Sequence, residues 1–552
     1  MKKLKPFASL LILILCSCAM RNSVRHLPDV SNFNPSPPHV VRHHAELFSS
    51  GENYLVKNQR GQWELYISGD PLQRGLLFGA LLDSLLIKQE RIFFGKIKEL
   101  VPAEKKQKRL RRFLQWYNRK LYKHVPNEFQ SEIYGLSRYS STEFNDIAPP
   151  FVRALYLHGA HDIGHALTDL ALIGCTSVAL WGDQTNDGEL LIGRNFDFYA
   201  GDEFAEEMVI AFINPSEGIP FAMVTWPGML GVVSGMNLEG LTITMNAGKS
   251  SIPMKAKKPI SILAREILQY SRTIEDAVNI ARKSEVFVSE SLMIGSAADK
   301  KSVLIEISPK KIDVHQVENN RLVCSNHFQS DAYKKDKRNL KQIEESHSKY
   351  RFDRITELLN LSPQMNPILL AEILRNREGL QEKMIGYGNE KALNQLLAHH
   401  SVIFKPESRL MWVSSSPYQL GAFSAYDLNQ IFGNERAFLS SNAIDSLLIP
   451  EDRFLYNTAY KKYELYRILD RKVDLTLKNK EPLFTAEQIQ HYISLNPEYW
   501  LVHYKAGLLY QLSEDYCNAK WAFEAALMKE ITTIPDMEKV KQSLKKNNKR
   551  IR

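Results

Sequence analysis

Cysteine is scarce in this chain, and the few copies are badly placed for bridging. Of the five, Cys16 and Cys18 sit in the leader, while Cys175, Cys324 and Cys517 are far apart, so no disulfide framework is expected. The apolar run of the leader, residues 7–15, falls well short of the roughly 20 residues a membrane-spanning helix needs. Zinc-finger spacing, a Walker loop and an RNP-like motif are all missing. Although the net charge is +9, the basic stretch EKKQKRLRRFLQWYNRKLYK (104–123) therefore reads as a solvated helix face, and nucleic-acid binding is not expected. No HExxH occurs, and nothing resembles a phosphate cradle that would recognise coenzyme A. Neither a metal nor an organic cofactor is expected.

What is present begins with targeting. MKKLKPFASLLILILCSC has a basic start, an apolar stretch and small residues, the pattern of a secretion signal over residues 1–18. Leu15-Cys16-Ser17-Cys18 resembles a bacterial lipobox, with Cys18 as the lipidated residue and Cys16 an unusual occupant of its place. A tether over 19–60 would follow, rich in Pro, Asn, Ser and His. The expected location is the bacterial cell envelope, lipid-anchored on the periplasmic side of the outer membrane; plain periplasmic or secreted release is the alternative.

At 552 residues the chain is too long for one core. Residues 61–174 read mainly as helix, as in LLFGALLDSLLIKQERIFFGKIKEL. At Cys175 the pattern turns to strands (CTSVALWG, ELLIGRNFDF, MVIAFIN, FAMVTWPG, GVVSGMN, GLTITMNA). Two helices follow, the second opened by a capping box of Thr273 and Asp276. Strands then return at SLMIGSA, SVLIEISP, KIDVHQV and RLVCSNHF. Blocks of strands, helices and strands predict a layered α+β core over 175–435. Residues 440–552 read as helical, with Gly507, Tyr510, Ala519, Phe523 and Ala526 at tetratricopeptide-repeat spacing, a possible surface for a protein partner.

The candidate chemistry centres on Cys175. A hairpin centred on Asn186 pairs Cys175 with Asp197, about 5 Å apart at Cβ. A carboxylate alone raises a thiol's pKa, so a nucleophile there needs a cation, and Arg194 is the nearest. In that register a regular strand points Arg194 to the other face, so a bulge near Gly193 is expected. LHGAHDIGHAL places His158, His161 and His165 on one helix face, with Asp162 or Asp169 near. Without a fourth ligand they are expected to pack close to the start of the Cys175 strand instead of binding metal. His399 and His400 read as core or substrate-wall residues, and Cys324 as buried and inert.

Gly174-Cys175-Thr176, Gly193-Arg194-Asn195-Phe196-Asp197, GMNLEGLTITMN, SNHF, SKYRFDR, GNEKALNQLLAHHSVIF and WVSSSPYQLGAFSAYDL, in that order, resemble the cysteine-type N-terminal-nucleophile (Ntn) hydrolases. The nearer relative is the acyl-coenzyme A:6-aminopenicillanic acid acyltransferase family (peptidase family C45), the more distant the choloylglycine hydrolases. The resemblance implies an αββα four-layer sandwich behind a helical pro-segment, followed by the helical repeat-like domain. It also implies autoproteolysis between Gly174 and Cys175. Cys175 would then be the nucleophile, Arg194 the thiolate partner, Asp197 the holder of the new ammonium, and Asn246 the oxyanion donor. Asn326 would touch the cysteine amine or the oxyanion, and Arg351 would stand near the nucleophile, with Arg354 as its substitute. The expected reaction is hydrolysis or transfer of an acyl group from an N-acyl amide or lipid-like substrate through a thioester at Cys175. The alternatives are a coenzyme A-dependent acyltransferase, a lipid deacylase, and a non-catalytic envelope scaffold.

Overall fold

The computed structural model describes residues 25–159, 162, 173–198, 201–250, 255–361, 364–397, 399–433 and 436–551. Cys16 and Cys18, and with them the leader, lie outside these residues, as do His161, His165 and Asp169. Four short strands come first: β1 (Val41–His44), β2 (Leu47–Ser50), β3 (Asn53–Lys57) and β4 (Trp63–Gly69). Composition assigns 41–60 to a tether, and the structure corrects this. Both faces of β3 and β4 are covered: Leu55 and Leu65 enter one apolar cluster, Tyr54, Val56 and Tyr66 another. A strand buried on both sides has no polar–apolar alternation to betray it.

Five helices follow: α1 (Pro71–Leu81), α2 (Asp83–Leu100), α3 (Glu104–Asn118), α4 (Asn127–Ser137) and α5 (Pro150–His158). Asp70 caps α1 by accepting from the Gln73 amide, and Pro71 sits in the first turn. α1 and α4 touch backbone to backbone. A Cβ added to Gly75 would stand 2.8–3.0 Å from Glu132 main-chain atoms.

Two sheets carry the rest. β5 (Ile173–Leu180) and β6 (Leu191–Phe198) are central in the smaller. β7 (Val209–Pro215), β8 (Phe221–Thr225), β9 (Ser234–Asn237), β10 (Leu241–Ala247), β11 (Glu290–Ser296), β12 (Lys301–Ile307) and β13 (Ile312–His315) extend the larger. β14 (Arg321–Cys324), β15 (His400–Lys405), β16 (Leu410–Ser414) and β17 (Phe423–Asp427) complete the smaller. The orders are β1-β2-β3-β4-β7-β8-β9-β10-β11-β12-β13 and β14-β5-β6-β15-β16-β17. β4 lies parallel to β7, from Trp63 opposite Val209 to Gly69 opposite Pro215.

Alternation along the strands sorts side chains into layers. Ala179, Ile192, Met293, Leu304, Phe404 and Tyr426 belong to the apolar cluster between the sheets. The larger sheet's other face meets α1, α4, α5, α6 (Ile260–Tyr270) and α7 (Ile274–Arg282). The capping box of Thr273 and Asp276 is present at the start of α7. After α8 (Lys337–Glu345), α9 (Ser348–Leu361) and α10 (Pro367–Leu374) cover the smaller sheet through Ile355, Leu359, Leu370 and Leu374.

Past the short α11 (Leu428–Phe432) the chain is helical: α12 (Thr458–Asn479), α13 (Ala486–Leu495), α14 (Trp500–Leu512), α15 (Tyr516–Leu527) and α16 (Ile534–Asn548). α14 and α15 cross where Gly507 leaves room for the Phe523 ring, and Tyr510, Ala519 and Ala526 are buried nearby. This region is bolted to residues 383–391 by ion pairs from Lys383 and Lys391 to Glu530. Among the described residues no helix is long and apolar enough to cross a membrane.

Candidate active site

The β5–β6 hairpin pairs Cys175 with Phe196, Ser177 with Arg194, and Gly174 with Asp197. This is one residue away from the register expected of a turn centred on Asn186, because Gly182 closes the tip onto Gly188. A one-residue slip moves a whole strand's side chains to the other face. Two expectations change as a result. Arg194 shares the thiol's face with no bulge at Gly193, and Asp197 lies on the opposite face beside Gly174 and Thr176. Gly174 is not among the glycines with positive φ, so close approach is what demands glycine there, not unusual backbone angles.

On the thiol's face Arg194 is fully buried and spread over the facing sheet. Nη1 donates to the Val233 carbonyl at 3.0 Å and to Ser234 Oγ at 2.6 Å. Nη2 donates to the Met245 carbonyl and reaches Cys175 Sγ at 3.5 Å. Phe196, the next residue on that face, lies under the guanidinium, 4.4 Å from ring centre to Cζ. Behind it, Ser234 Oγ, which accepts from Arg194, is also 2.9 Å from His400 Nε2. His400 Nδ1 is in turn 2.8 Å from His399 Nδ1. Burial pushes the Cys175 thiol up to about 11, against the pull of Arg194; Asp197 and Glu290 add to the rise. Burial therefore favours the neutral thiol, with Arg194 aligned beside it.

The backbone of Cys175 is gripped from the other side. Its N–H donates to Asn326 Oδ1 at 3.0 Å. Its carbonyl accepts from Arg351 Nη1 at 2.6 Å, a nitrogen that also donates to Thr176 Oγ1 at 2.6 Å. Arg351 Nη2 then joins the two by donating to Asn326 Oδ1 at 2.6 Å. Ser348, the first residue of α9, accepts from the Asn326 amide at 2.7 Å and so locks helix to loop. Arg354 is elsewhere, paired with Glu357 at 3.0 Å and Glu382 at 2.6 Å, so Arg351 and not its neighbour reaches Cys175.

Asn246 projects from β10 toward β5. Its Oδ1 accepts from Ser177 Oγ at 2.7 Å, and its Nδ2 donates to the Cys324 carbonyl over a long 3.3 Å. Asp197 is 2% exposed, and neither carboxylate oxygen has a hydrogen-bond partner. Burial pushes it up to about 8 despite Arg351 and Arg194. The structure thus brings Arg194, Asn326 and Arg351 into contact with Cys175 and sets Asp197 opposite Gly174, while Asn246 reaches Ser177, two residues along β5. It adds Ser177, Ser234 and Ser348, whose buried hydroxyls orient those residues and carry no marker in a single sequence.

Of the three histidines in LHGAHDIGHAL, His158 lies among the described residues and has a structural place. His158 Nδ1 faces the Ala154 carbonyl at 2.8 Å and Nε2 accepts the Leu230 amide at 2.9 Å, which leaves no lone pair for a metal. Cys324 is fully buried, with its sulfur on the Ser325 carbonyl at 3.4 Å.

A buried cysteine at the head of a sandwich strand, held by Arg and Asn, resembles the site of the cysteine-type Ntn hydrolases. Within that class, residues 184–416 match the family model of acyl-coenzyme A:6-aminopenicillanic acid acyl-transferase, a span that opens on the hairpin tip just after Cys175. An uncharacterized protein of Archaeoglobus fulgidus is 24% identical over 289 residues, 48% of this chain and 47% of its own length. The N-acylethanolamine-hydrolyzing acid amidase of Caenorhabditis elegans is 24% identical over 227 residues, 38% of this chain and 61% of that protein. The chain therefore spans about half the length of these curated relatives. Among solved structures, a mutant of the conjugated bile acid hydrolase from Clostridium perfringens aligns with a TM-score of 0.34 at 14% identity, covering 49% of this chain and 96% of that one.

Proposed function

We propose that this chain is a self-processing cysteine amidase on an αββα Ntn-type sandwich, which cleaves an N-acyl amide through a thioester at Cys175. The observation that carries this reading is the threefold hold on one residue. Thiol, amide and carbonyl of Cys175 each meet a different buried polar side chain, Arg194, Asn326 and Arg351. A core-filling cysteine needs none of them, and burying two arginines without purpose is costly.

In the first step the sulfur adds to the Gly174 carbonyl carbon, and the C–N bond to Cys175 breaks. The thiol proton passes to the departing nitrogen. Water then hydrolyses the Gly174 thioester, its OH going to the carbonyl carbon and its proton to sulfur. The product carries a free α-amine on Cys175, whose ordinary pKa near 8 suits a general base. Asp197, beside the departed Gly174, supplies the carboxylate for that ammonium. A substrate amide then repeats the chemistry, with Asn246 Nδ2 released from its long bond to receive the oxyanion. Acyl transfer to an amine competes wherever the site excludes water.

That one relative is named an N-acylethanolamine-hydrolyzing acid amidase supports an amide donor over acyl-coenzyme A for this chain. Lipidation at Cys18 and an envelope location belong to the same proposal; labelling with a fatty-acid probe tests them. The helices of 440–552, read as repeat-like, are proposed as a partner surface.

Cleavage is tested by intact mass. Wild type should yield a chain beginning at Cys175, and Cys175→Ala should stay whole. The processed protein should release fatty acid from N-acyl amines in water. A wild-type chain that stays whole yet turns over amides would overturn self-processing, and a processed chain inert toward amides but rapid with acyl-coenzyme A would overturn the amidase.

A further inference from the structure

Gln395 lies in the loop before β15, outside every role assigned so far. It is 2% exposed, and among the described residues its Nε2 has no acceptor. Its carboxamide presses on Gly174. A Cβ added there would come within 2.8 Å of Oε1 and 2.9 Å of Cδ, and nearer still to Nε2, where real Cβ contacts essentially never fall below 3.0 Å. The loop cannot easily yield. Asn394 on one side donates its amide to the Asn376 carbonyl at 2.8 Å, and its Oδ1 accepts from the Leu396 amide at 2.9 Å. Gly174 has an ordinary strand conformation that alanine tolerates, and alanine there would otherwise be neutral or favourable. The atoms met are the end of a side chain, so alanine at 174 requires the Gln395 carboxamide to turn away from the strand.

We infer that Gln395 is the positioning residue for cleavage at Gly174–Cys175 and restricts residue 174 to glycine. This rests on the self-processing reading above. From the contact just given and standard backbone geometry, Nε2 lies within about 5 Å of the Gly174 carbonyl carbon. When sulfur bonds to that carbon, the C=O electron pair moves onto oxygen. The unused N–H of Gln395 is the donor at hand for it, on the side of the strand away from Asn246. Cleavage then removes the residue that Gln395 was packed against.

The test follows appearance of the Cys175-terminated chain in freshly synthesised full-length protein, by mass. Gly174→Ala should slow cleavage at least tenfold in a wild-type background. Gln395→Ala should also slow it about tenfold, through loss of packing and donor. The double variant Gly174→Ala/Gln395→Ala should cleave within about threefold of Gln395→Ala alone, because the space conflict is gone. A double variant that stays near Gln395→Ala, where independent effects would multiply, is a non-additivity that general destabilisation does not produce, and melting temperatures of all four proteins identify any that fail to fold. A Gly174→Ala protein that cleaves at the wild-type rate, or a double variant slowed by about the product of the two single effects, would overturn the role of Gln395 while leaving self-processing intact. Wild type that never cleaves would overturn both.

Discussion

In the uncut chain the Asp197 carboxyl faces Gly174 across the hairpin with no partner, and burial pushes it up to about 8. An unfolded Asp titrates near 3.9. Between about pH 4 and about pH 8 the folded chain thus holds a proton that the unfolded chain releases, so stability falls as pH rises through that window. In a Cys175→Ala background, which keeps the chain whole, Asp197→Asn should remove this dependence. We expect the double variant to gain on the order of 2–4 kcal/mol over Cys175→Ala at pH 7.5, and nearly nothing at pH 4, in urea unfolding. A loss at pH 7.5 would mean that the carboxylate is ionised and well paired. At this scale the sequence was most legible where residue chemistry is distinctive: a thiol needs a cation, and Arg194 stood close in sequence. It was least legible where the chemistry is bland. Ser177, Ser234 and Gln395 look like any strand or loop residue until the fold sets them against Cys175, Arg194 and Gly174.

Elements repeat the lesson through registers and faces. Asn186, Asp187 and Gly188 mark the hairpin tip correctly, yet the bond from Gly182 to Gly188 shifts its centre, and that shift puts Arg194 beside the thiol. Arg351 and Arg354 are three apart on one helix face, so spacing alone could not choose between them. The choice comes from where α9 meets β5, a contact between distant stretches of chain. The α1–α4 pair is a further case, since Gly75 and Gly135 carry no helix-period signal of their own importance. Because the main chain of Glu132 blocks a Cβ at Gly75, Gly75→Ala should destabilise the protein by about 2–3 kcal/mol, measured by urea unfolding, although alanine favours an isolated helix. An unchanged or raised stability would show that the two helices can part at little cost.

Across the whole molecule, a cut before Cys175 would leave β1–β4, α1–α5 and the first two residues of β5 on one chain, and the rest of β5 with β6–β17 and the remaining helices on the other. The two are interlocked. Glu132 of α4 bonds Arg74 at 2.8 Å on its own side and Arg265 of α6 at 3.2 Å on the other, all three buried. Gln269 and Tyr270 reach Glu128 across the same boundary at 2.7 and 2.6 Å. The mixed helix-and-strand character was readable from blocks of strands and helices, but the contribution of residues 41–69 to the larger sheet was not, because a parallel pairing over so long a crossover leaves no local trace.

That pairing of β4 with β7 makes cleavage a change in the molecularity of unfolding. A whole chain melts in a unimolecular transition, with a midpoint independent of how much protein is in the cell. Two chains that share one sheet must separate to unfold, and mass action then raises the midpoint with concentration. Over a hundredfold dilution series, scanning calorimetry should find a melting temperature that drifts downward for the processed wild type and stays level for Cys175→Ala. A level midpoint for the processed protein would mean that its two chains unfold without parting.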